Sequence, residues 1–483
     1  MIIRGGGIIL GLFLTLLVLA VNAWGNGKEP YGIVSMKITV QEFNYAAPWN
    51  KKPEKLILAN ALVLEEGLLL ATADVVKNAT LIEVRKFGQY PDYEARPLLI
   101  DYEVDMAILE VKDPDFWKGL KALSISEKPV SQGRFAINRW RPNGRFEQGS
   151  GEVIEMVVAS SRFGNMEFPE LRGNTAMSGL GWSEIVTRDG DVFGIITGHN
   201  NNNFQASNSP LMKRFVEVAK KKKGKRFAHR GFSWQKLNHP ALRQAHNLEN
   251  DQSGVLIRKI YAGGTGSEEL KIGDILIQLG DHEINPEGSI NHQLYGPALF
   301  TLALNESLEE SIPARIIRDG KTLKIDLIRK SMSEQDYRVI PYHFGKPIDF
   351  ELFGGMVIQE LSLGFLKLWG GEWNEKAPSR LVMEYYLNML REKGKAPEKV
   401  VFVSNILRDP SNLGYDEVEH SILIKANGIT LNSLEDFRNA LKRPKKGYHI
   451  LDVLPGQGRG EMVFNAKTID EANKRIRSRY RIP

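Results

Sequence analysis

The stretch Gly67–Val84, "GLLLATADVVKNATLIEV", indicates the kind of domain that occupies the N-terminal half of this chain. An apolar run leads to Asp74, a small polar loop follows, and a second alternating segment begins. Alternation of apolar and polar side chains is typical of half-buried strands. The stretch therefore predicts two short strands joined by a loop, with an acidic residue where the first strand ends.

Similar segments surround this stretch over residues 31–215, among them "IVSMKITV", "KLILANALVL", "MAILEV", "GEVIEMVV" and "VFGIITG". Many short strands without a long helical period predict an all-β barrel or sandwich. The pattern ends at "PLMKRFVEVAKKKKGKR", which predicts a helix with a cationic last turn. We interpret this basic run as a solvated linker, and contact with an acidic surface is the alternative.

Composition excludes several classes of protein. The chain has 483 residues, enough for two to four domains. Its net charge, 64 − 58 = +6, is too dilute to indicate a nucleic-acid partner. It contains no cysteine, which excludes a disulfide-stapled mini-domain, a thiolate metal site and a thiol nucleophile.

The N-terminus has the order of a secretory signal peptide. One early cation, Arg4, precedes an apolar stretch from Ile8 to Ala20, and Val21-Asn22-Ala23 follows as a small-residue exit. We therefore expect export, with cleavage after Ala23. An uncleaved anchor helix is the alternative.

From Gly231 the chain contains two strand-turn-strand units. The first includes "LKIGDILIQLGDHEI", a predicted helix at "QLYGPALFTLAL", and a hairpin around Asp319-Gly320. The second repeats the element weakly as "HSILIKANGIT" and adds the helix "LNSLEDFRNALK", capped by Asn432 or Ser433. An insertion rich in Trp and Leu carries a further predicted helix, "PSRLVMEYYLNMLREKG".

Taken in order, these pieces resemble the HtrA/Deg family of serine proteases with PDZ domains. The resemblance rests on several short matches along the mature chain, including "SMKITVQEFNYAAPW", "LLLATADVV", "DMAILEV", "GNTAMSGLGW", "GFSWQKLNHPALR", "LKIGDILIQLG", "LIKANGITLNSLEDF" and "RSRYRIP". It implies a mainly β protein with a trypsin-like double β-barrel followed by two PDZ-like domains, the second degenerate and carrying a helical insertion.

The resemblance also implies a division of the chain. We expect a signal peptide at 1–23, a trypsin-like domain at 30–218, a basic linker at 219–228, a first PDZ domain at 229–332 and a PDZ-like domain with a C-terminal tail at 333–483.

Mapped onto the family's triad, the chain lacks its histidine. The position of the general base falls on Asp74, the triad carboxylate on Asp105 and the nucleophile on Ser178. The family's Gly-Asn-Ser-Gly-Gly becomes Ala176-Met177-Ser178-Gly179-Leu180, so the oxyanion hole that Ala176 and Ser178 would form is in doubt.

Asp74 is a poor substitute for an imidazole. A carboxylate with a pKa of about 3.9 is a much weaker base than an imidazole with a pKa of about 6.5. Two adjacent carboxylates must also share a proton, recruit a cation or turn apart. No histidine precedes Ser178, and the first in the chain, His199, maps to the wall of the substrate pocket.

The first PDZ-like module retains the parts that hold a peptide. A PDZ domain binds an extended peptide as an added strand and its C-terminal carboxylate in a loop of N–H groups. That loop maps to residues 229–232, where Arg230 adds charge, Gly231 permits the turn and Phe232 lines the pocket, and Ser233 and Trp234 begin the pairing strand. The alternative is that Phe232 and Trp234 are core aromatics.

The opening of the second module, Phe353-Gly354-Gly355-Met356, resembles the same loop. The insertion with Trp369 and Trp373 would cover the groove, pack on the protease-like domain or form an oligomer contact, and the sequence does not separate these.

The sequence thus predicts a catalytically impaired HtrA/Deg homologue that binds peptide C-termini or unfolded clients in protein quality control of the periplasm or cell envelope. The family suggests a homotrimer, and partnership with an active paralogue is a further hypothesis. An active serine endopeptidase with an unrecognised base is the rival function. No cofactor is indicated, and two carboxylates alone are insufficient for a metal site between Asp74 and Asp105.

Overall fold

Two closed six-stranded β-barrels form the N-terminal part of the computed structural model, which describes residues 31–130, 132–163, 166–220, 227–246, 248, 253–306, 309–395, 398–456 and 460–483. The first barrel has the strand order β1-β2-β3-β6-β5-β4. Its strands are β1 (Ile33–Val40), β2 (Lys55–Leu64), β3 (Leu68–Ala71), β4 (Ala79–Arg85), β5 (Tyr93–Asp101) and β6 (Met106–Glu110).

Alternation directs one face of these strands inward. In β1, Val34, Met36 and Ile38 are buried while Lys37 is exposed, as a period of two residues requires. Two short helices, α1 (Ala73–Val76) and α2 (Pro114–Trp117), and a 3-10 turn (Glu65–Gly67) interrupt the strands. The side chain of Asp113 caps α2 by accepting a hydrogen bond from the N–H of Asp115.

The second barrel has the strand order β10-β11-β12-β9-β8-β7. Its strands are β7 (Gly133–Trp140), β8 (Phe146–Ser160), β9 (Glu167–Thr175), β10 (Ile185–Arg188), β11 (Asp191–Asn200) and β12 (Asn203–Asn208), and helix α3 (Ser209–Lys220) follows. Trp140 joins the two barrels, because its indole N–H donates to the carbonyl of Ile33 at 2.7 Å and its backbone N–H to Oδ1 of Asn60 at 2.7 Å.

A sheet of order β13-β14-β15-β19-β20 forms the core of the next module, with β16 paired to β15 and with β17 and β18 as a separate hairpin. Its elements are β13 (Phe232–Lys236), α4 (Pro240–Ala245), β14 (Val255–Ile260), β15 (Ile275–Leu279), β16 (His282–Glu283), β17 (Ser289–His292), β18 (Gly296–Leu299), β19 (Ser311–Arg318) and β20 (Lys321–Ile328), with 3-10 turns at Phe300–Asn305 and Glu334–Asp336.

The helix predicted at "QLYGPALFTLAL" is wrong. Gly296–Leu299 is a strand and Phe300–Asn305 a 3-10 turn. Gly296 has φ +68, which lies outside the right-handed helix, and Pro297 has no N–H to donate. Every residue of the 3-10 turn is buried, so its position comes from packing on all sides rather than from an amphipathic helical face.

The last module combines a three-stranded sheet, β21-β22-β23, with a four-stranded sheet, β25-β24-β26-β27. Its strands are β21 (Phe350–Phe353), β22 (Met356–Glu360), β23 (Val401–Ile406), β24 (Leu423–Ala426), β25 (Ile429–Thr430), β26 (Tyr448–Val453) and β27 (Glu461–Asn465). Its helices are α5 (Leu363–Leu366), α6 (Trp373–Lys376), α7 (Ser379–Asn388), α8 (Leu434–Leu441) and α9 (Ile469–Tyr480), with 3-10 turns at Lys367–Trp369, Pro410–Asn412 and Asp416–Val418.

The predicted fold class, a mainly β protein with a double barrel and PDZ-like modules, is confirmed. The predicted cap at Ser433 is also confirmed, because its side chain accepts the N–H of Asp436 at 3.2 Å. The signal peptide at 1–23 and most of the basic linker, residues 221–226, lie outside the described residues, and the domain boundaries stay predictions. Within the ranges given above, no helix has the length and apolarity to cross a bilayer.

Candidate functional site

Asp74 and Asp105 lie together where the family would place two members of its triad. Asp74 is buried in α1, and its backbone N–H donates to Oδ1 of Asp105 at 2.8 Å. Oδ2 of Asp105 is buried and has no hydrogen-bond partner among the described residues. Burial, followed by the charge of Asp74, raises the pKa of Asp105 to about 7. The Asp105 carboxyl is therefore partly protonated near neutral pH.

The Asp74 carboxylate is held by cations. Its Oδ1 accepts a hydrogen bond from Nζ of Lys77, and its Oδ2 lies 3.5 Å from Nη1 of Arg162. The Arg162 guanidinium in turn lies 4.7 Å from the ring centroid of Trp182. Burial and then the charges of Lys77 and Arg162 lower the pKa of Lys367. Of the three outcomes open to two adjacent carboxylates, recruitment of a cation is the one seen at Asp74.

The segment between strands β20 and β21 packs on this region of the first two barrels. The ring centroid of Phe344 lies 4.7 Å from that of Tyr102 and 5.3 Å from that of Phe163. The backbone N–H of Gly345 donates to Oδ1 of Asn78 at 2.8 Å. Sequence reasoning missed this cover, since its two sides are 267 residues apart in the chain and no local pattern links them.

Ser178 is exposed, and the buried Arg139 donates hydrogen bonds to the backbone of its loop. Nη2 of Arg139 donates to the carbonyl of Ser178 at 2.8 Å, and Nη1 donates to the carbonyl of Gly179. Arg139 also pairs with Glu147 at 2.7 Å and with Glu184 at 3.5 Å. Burial raises the pKa of Glu184. The loop thus presents carbonyl groups to a cation.

Among the described residues, no hydrogen bond joins Ser178 to Asp74 or to Asp105. In the described part of the chain, its hydroxyl has no hydrogen-bond partner. The N–H of Met177 donates to Oγ1 of Thr175 at 3.1 Å and that of Gly181 to Glu184, whereas Ala176 is exposed. The predicted oxyanion hole at Ala176 and Ser178 therefore stays a prediction.

A buried serine that sequence reasoning missed, Ser183, contacts Thr72, two residues before Asp74. Its Oγ accepts the N–H of Thr72 at 3.0 Å and lies 2.8 Å from the Thr72 hydroxyl. His199 stacks on Trp182 with the ring centroids 5.3 Å apart. The Ser183 contact depends on the packing of the two barrels, and neither contact leaves a signal in local sequence.

The predicted carboxylate loop of the first PDZ-like module uses its N–H groups internally. The N–H of His229 donates to the carbonyl of Lys330 at 3.0 Å, and that of Gly231 to Thr265 at 2.8 Å. Arg230 points its guanidinium at Glu167 of the second barrel, 3.3 Å away. A peptide carboxylate would have to displace these partners.

The aromatic residues that follow pack inward. Phe232 is fully buried and stacks on Phe300 with the centroids 6.5 Å apart, while Trp234 lies edge-on to Phe300 at 5.2 Å. The strand that carries them, β13 with Ser233, ends the five-strand order. It pairs with β14 on one side, and on its other side no strand of the described residues pairs with it.

The groove of the second PDZ-like module is filled by its own chain. The hairpin turn at Gly354 and Gly355, with φ +58 and +87, returns β21 along β22 in antiparallel register. Arg438 of α8 pairs with Asp349 at 2.6 Å and with Glu351 at 3.1 Å. β21 thus lies between β22 and α8, where a PDZ ligand would add as a strand.

The insertion of the second module packs on the protease-like part. Tyr45 of the first barrel is half-buried against the cluster that contains Trp369 and Trp373. Nε2 of Gln359 donates to the Tyr45 carbonyl at 3.0 Å, and Nδ2 of Asn405 to that of Ala46 at 3.0 Å. Of the three roles considered for the insertion, contact with the protease-like domain is the one seen.

A group of possible metal ligands in the described residues is His282, His292 and Glu306. Nε2 of His282 lies 2.8 Å from Oε2 of Glu306, and Nε2 of His292 lies 3.1 Å from Oε1. Nδ1 of His292 accepts the N–H groups of Leu294 and Tyr295. Neutral His292 therefore carries its proton on Nε2.

Comparisons with known proteins find a PDZ domain match at the C-terminal end of the chain and relatives over most of its length. The PDZ domain family matches residues 339–483. The chain is 22% identical over 431 residues to protease Do-like 2, chloroplastic, of Arabidopsis thaliana, covering 87% of this chain and 69% of the relative.

The chain is also 24% identical over 260 residues to a serine protease DegP homologue of Plasmodium falciparum. This alignment covers 50% of this chain and 30% of the relative. Among solved structures, the HtrA-type protease AlgW with decapeptide aligns at a TM-score of 0.46 and 14% identity, covering 62% of this chain and 96% of that chain. The chain is a homologue of HtrA/Deg-family proteases with a PDZ domain at its C-terminal end.

Proposed function

We propose that this protein is a catalytically impaired HtrA/Deg homologue that binds peptides or unfolded clients without cleaving them. The observation that carries the proposal is the state of Asp74, whose carboxylate contacts Lys77 and Arg162. Both carboxylate oxygens of Asp74 face these cations, whereas a general base must lie within hydrogen-bond reach of the proton that it removes. Ser178, the nucleophile position, has no base against its hydroxyl among the described residues.

Binding would fall to the first PDZ-like module. The free side of β13 offers backbone groups to an extended peptide, and β-strand addition needs little more than such an edge. The second module has its groove filled by β21, so we assign it a structural role. Because Gly231 donates to Thr265, we expect strand addition to contribute more to affinity than capture of a terminal carboxylate.

The proposed setting is export to the periplasm or cell envelope, in protein quality control. It is supported by the order of charge, apolar run and small-residue exit in residues 1–23. Fractionation of cells that produce the full chain, with N-terminal sequencing of the mature protein, tests it. Recovery from the cytosolic fraction with Met1 retained would contradict it.

The experiment on catalysis compares the purified protein with its Ser178→Ala variant on unfolded casein. We expect equal and negligible release of peptides from both, and slower aggregation of a thermally unfolded client in the presence of either. Casein digestion that disappears in Ser178→Ala would show an active serine endopeptidase. An absence of any effect on client aggregation would contradict the binding role.

A further inference from the structure

A cavity of about 490 Å³ lies beside Asp105 and is lined by residues of both barrels. Its wall includes Glu103, Asp105, Arg162, Trp182 and His199. The volume is within the range of cavities that hold small ligands or side chains. Since Asp105 is at the triad position, a guest in this cavity would lie beside the former catalytic centre.

Two buried carboxyl oxygens in this wall have no partner among the described residues. They are Oε2 of Glu103 and Oδ2 of Asp105, on side chains only 4% and 6% exposed. The other oxygens are engaged, because Glu103 accepts the hydroxyl of Tyr337 at 2.9 Å and Asp105 accepts the N–H of Asp74. Buried polar groups are normally paired, since an unpaired one costs free energy.

The cations already in the wall are engaged elsewhere. Arg162 pairs with Asp74, and Arg172 pairs with Glu170 at 3.1 Å. Glu103 makes no ion pair with a lysine or arginine of the described residues. Its one basic neighbour, His229, reaches Oε1 at 3.6 Å, and Nδ1 of that ring accepts the N–H of Met332. Neither free oxygen is therefore satisfied by a residue that the structure describes.

We propose that this cavity is a subsite for a basic side chain, lysine or arginine, of a bound client. The proposal rests on the proposed function, because it assumes that clients enter the cleft. An ammonium or guanidinium group supplies several N–H donors to these two oxygens, and its charge favours the ionised form of Asp105, which releases its proton when the cation binds. The Trp182 ring already supports one guanidinium on its face, which shows that this wall accommodates a flat cation.

The subsite is tested with agmatine, which carries an ammonium and a guanidinium, against butylurea as a neutral analogue. Binding to the full-length protein is followed by calorimetry and by the shift in melting temperature. We expect saturable binding of agmatine, none of butylurea, and about tenfold weaker binding to Glu103→Gln, the usual effect of losing a hydrogen bond between charged groups. The Gln variant keeps an acceptor for Tyr337, so its fold should persist, and circular dichroism verifies this.

The matched control is Glu94→Gln, which removes the same charge from an exposed side chain paired with Arg96 on the first barrel. It should leave agmatine affinity within about twofold, because surface charges are screened. Equal loss in both variants, equal binding of butylurea, or binding of agmatine unchanged in Glu103→Gln would overturn the subsite. Stronger binding of benzoate than of agmatine would do the same.

A second arm separates this inference from the function on which it rests. Labelled peptides that differ only in a central lysine, arginine or norleucine are titrated onto the full-length protein. Preference of at least fivefold for the basic peptides, lost in Glu103→Gln, supports the subsite. Equal binding of all three refutes the subsite but leaves client binding standing, and failure of every peptide to bind refutes both.

Discussion

The backbone N–H of Asp74 donates a hydrogen bond of 2.8 Å to Oδ1 of Asp105. This contact joins the two positions onto which the sequence maps the base and the carboxylate of the family's triad. The Asp74 side chain, however, is neutralised by Lys77 and Arg162.

Restoring the histidine alone should not restore proteolysis. In Asp74→His the imidazole would sit near Lys77, and no contact in the structure brings the Ser178 hydroxyl toward position 74. We expect hydrolysis of a fluorogenic casein to stay within about tenfold of the wild-type background, since general-base catalysis requires hydrogen-bond reach. The double variant Asp74→His/Ser178→Ala is the control. A rise of more than a hundredfold that the double variant abolishes would contradict this prediction.

Stability should fall as pH rises from about 4 to about 7, through Asp105. Its pKa is raised from 3.8 to about 7, so the native state binds this proton more tightly than the unfolded chain does between those values. Each pH unit in the window costs on the order of 1.4 kcal/mol at most. Urea unfolding at several pH values measures it, against Asp105→Asn, which keeps an acceptor for the Asp74 N–H and should lack this slope. Parallel curves for the two proteins would show that Asp105 titrates normally.

Loss of Arg438 should loosen β21 from the second groove. Its guanidinium pairs with Asp349 and Glu351 and also donates to the Phe350 carbonyl at 3.1 Å. We expect Arg438→Ala to lower the free energy of unfolding by about 1–3 kcal/mol and to speed amide exchange in residues 350–353. Lys442→Ala, on an exposed side chain just past the same helix, is the control. Unchanged exchange in β21 would show that packing alone retains the strand.

Alanine at Gly231 should destabilise the first PDZ-like module. A Cβ there would lie 2.7 Å from the Gly264 carbonyl oxygen and 2.8 Å from that of Thr265, both backbone atoms that cannot easily move. We expect a loss of about 1–3 kcal/mol in thermal or chemical unfolding. Gly371→Ala has open space around its Cβ and should change stability by less than about 0.5 kcal/mol. Wild-type stability in Gly231→Ala would indicate that this loop shifts readily and is free to admit a carboxylate.

Local patterns in the sequence were sufficient for the strands, the hairpin turns and the cap at Ser433, because periodicity, turn chemistry and capping depend on near neighbours. The proximity of Asp74 and Asp105, which are 31 residues apart, was expected only from the family resemblance. The helix predicted from the apolar run that begins near Gly296 was wrong. Phe300–Asn305 is a 3-10 turn whose residues are all buried, so its conformation depends on packing against distant parts of the chain.

The functional state of the site was decided by contacts between distant segments. Arg162 of the second barrel contacts Asp74 of the first barrel. Phe344, between β20 and β21, packs on Phe163 next to Arg162. Arg139 on β7 donates a hydrogen bond to the Ser178 carbonyl. Residue types and spacing do not encode such contacts, because they arise only when separate elements pack against one another. The sequence by itself determined which residue types stand at the positions mapped onto the triad, and the tertiary structure determined which charges surround them.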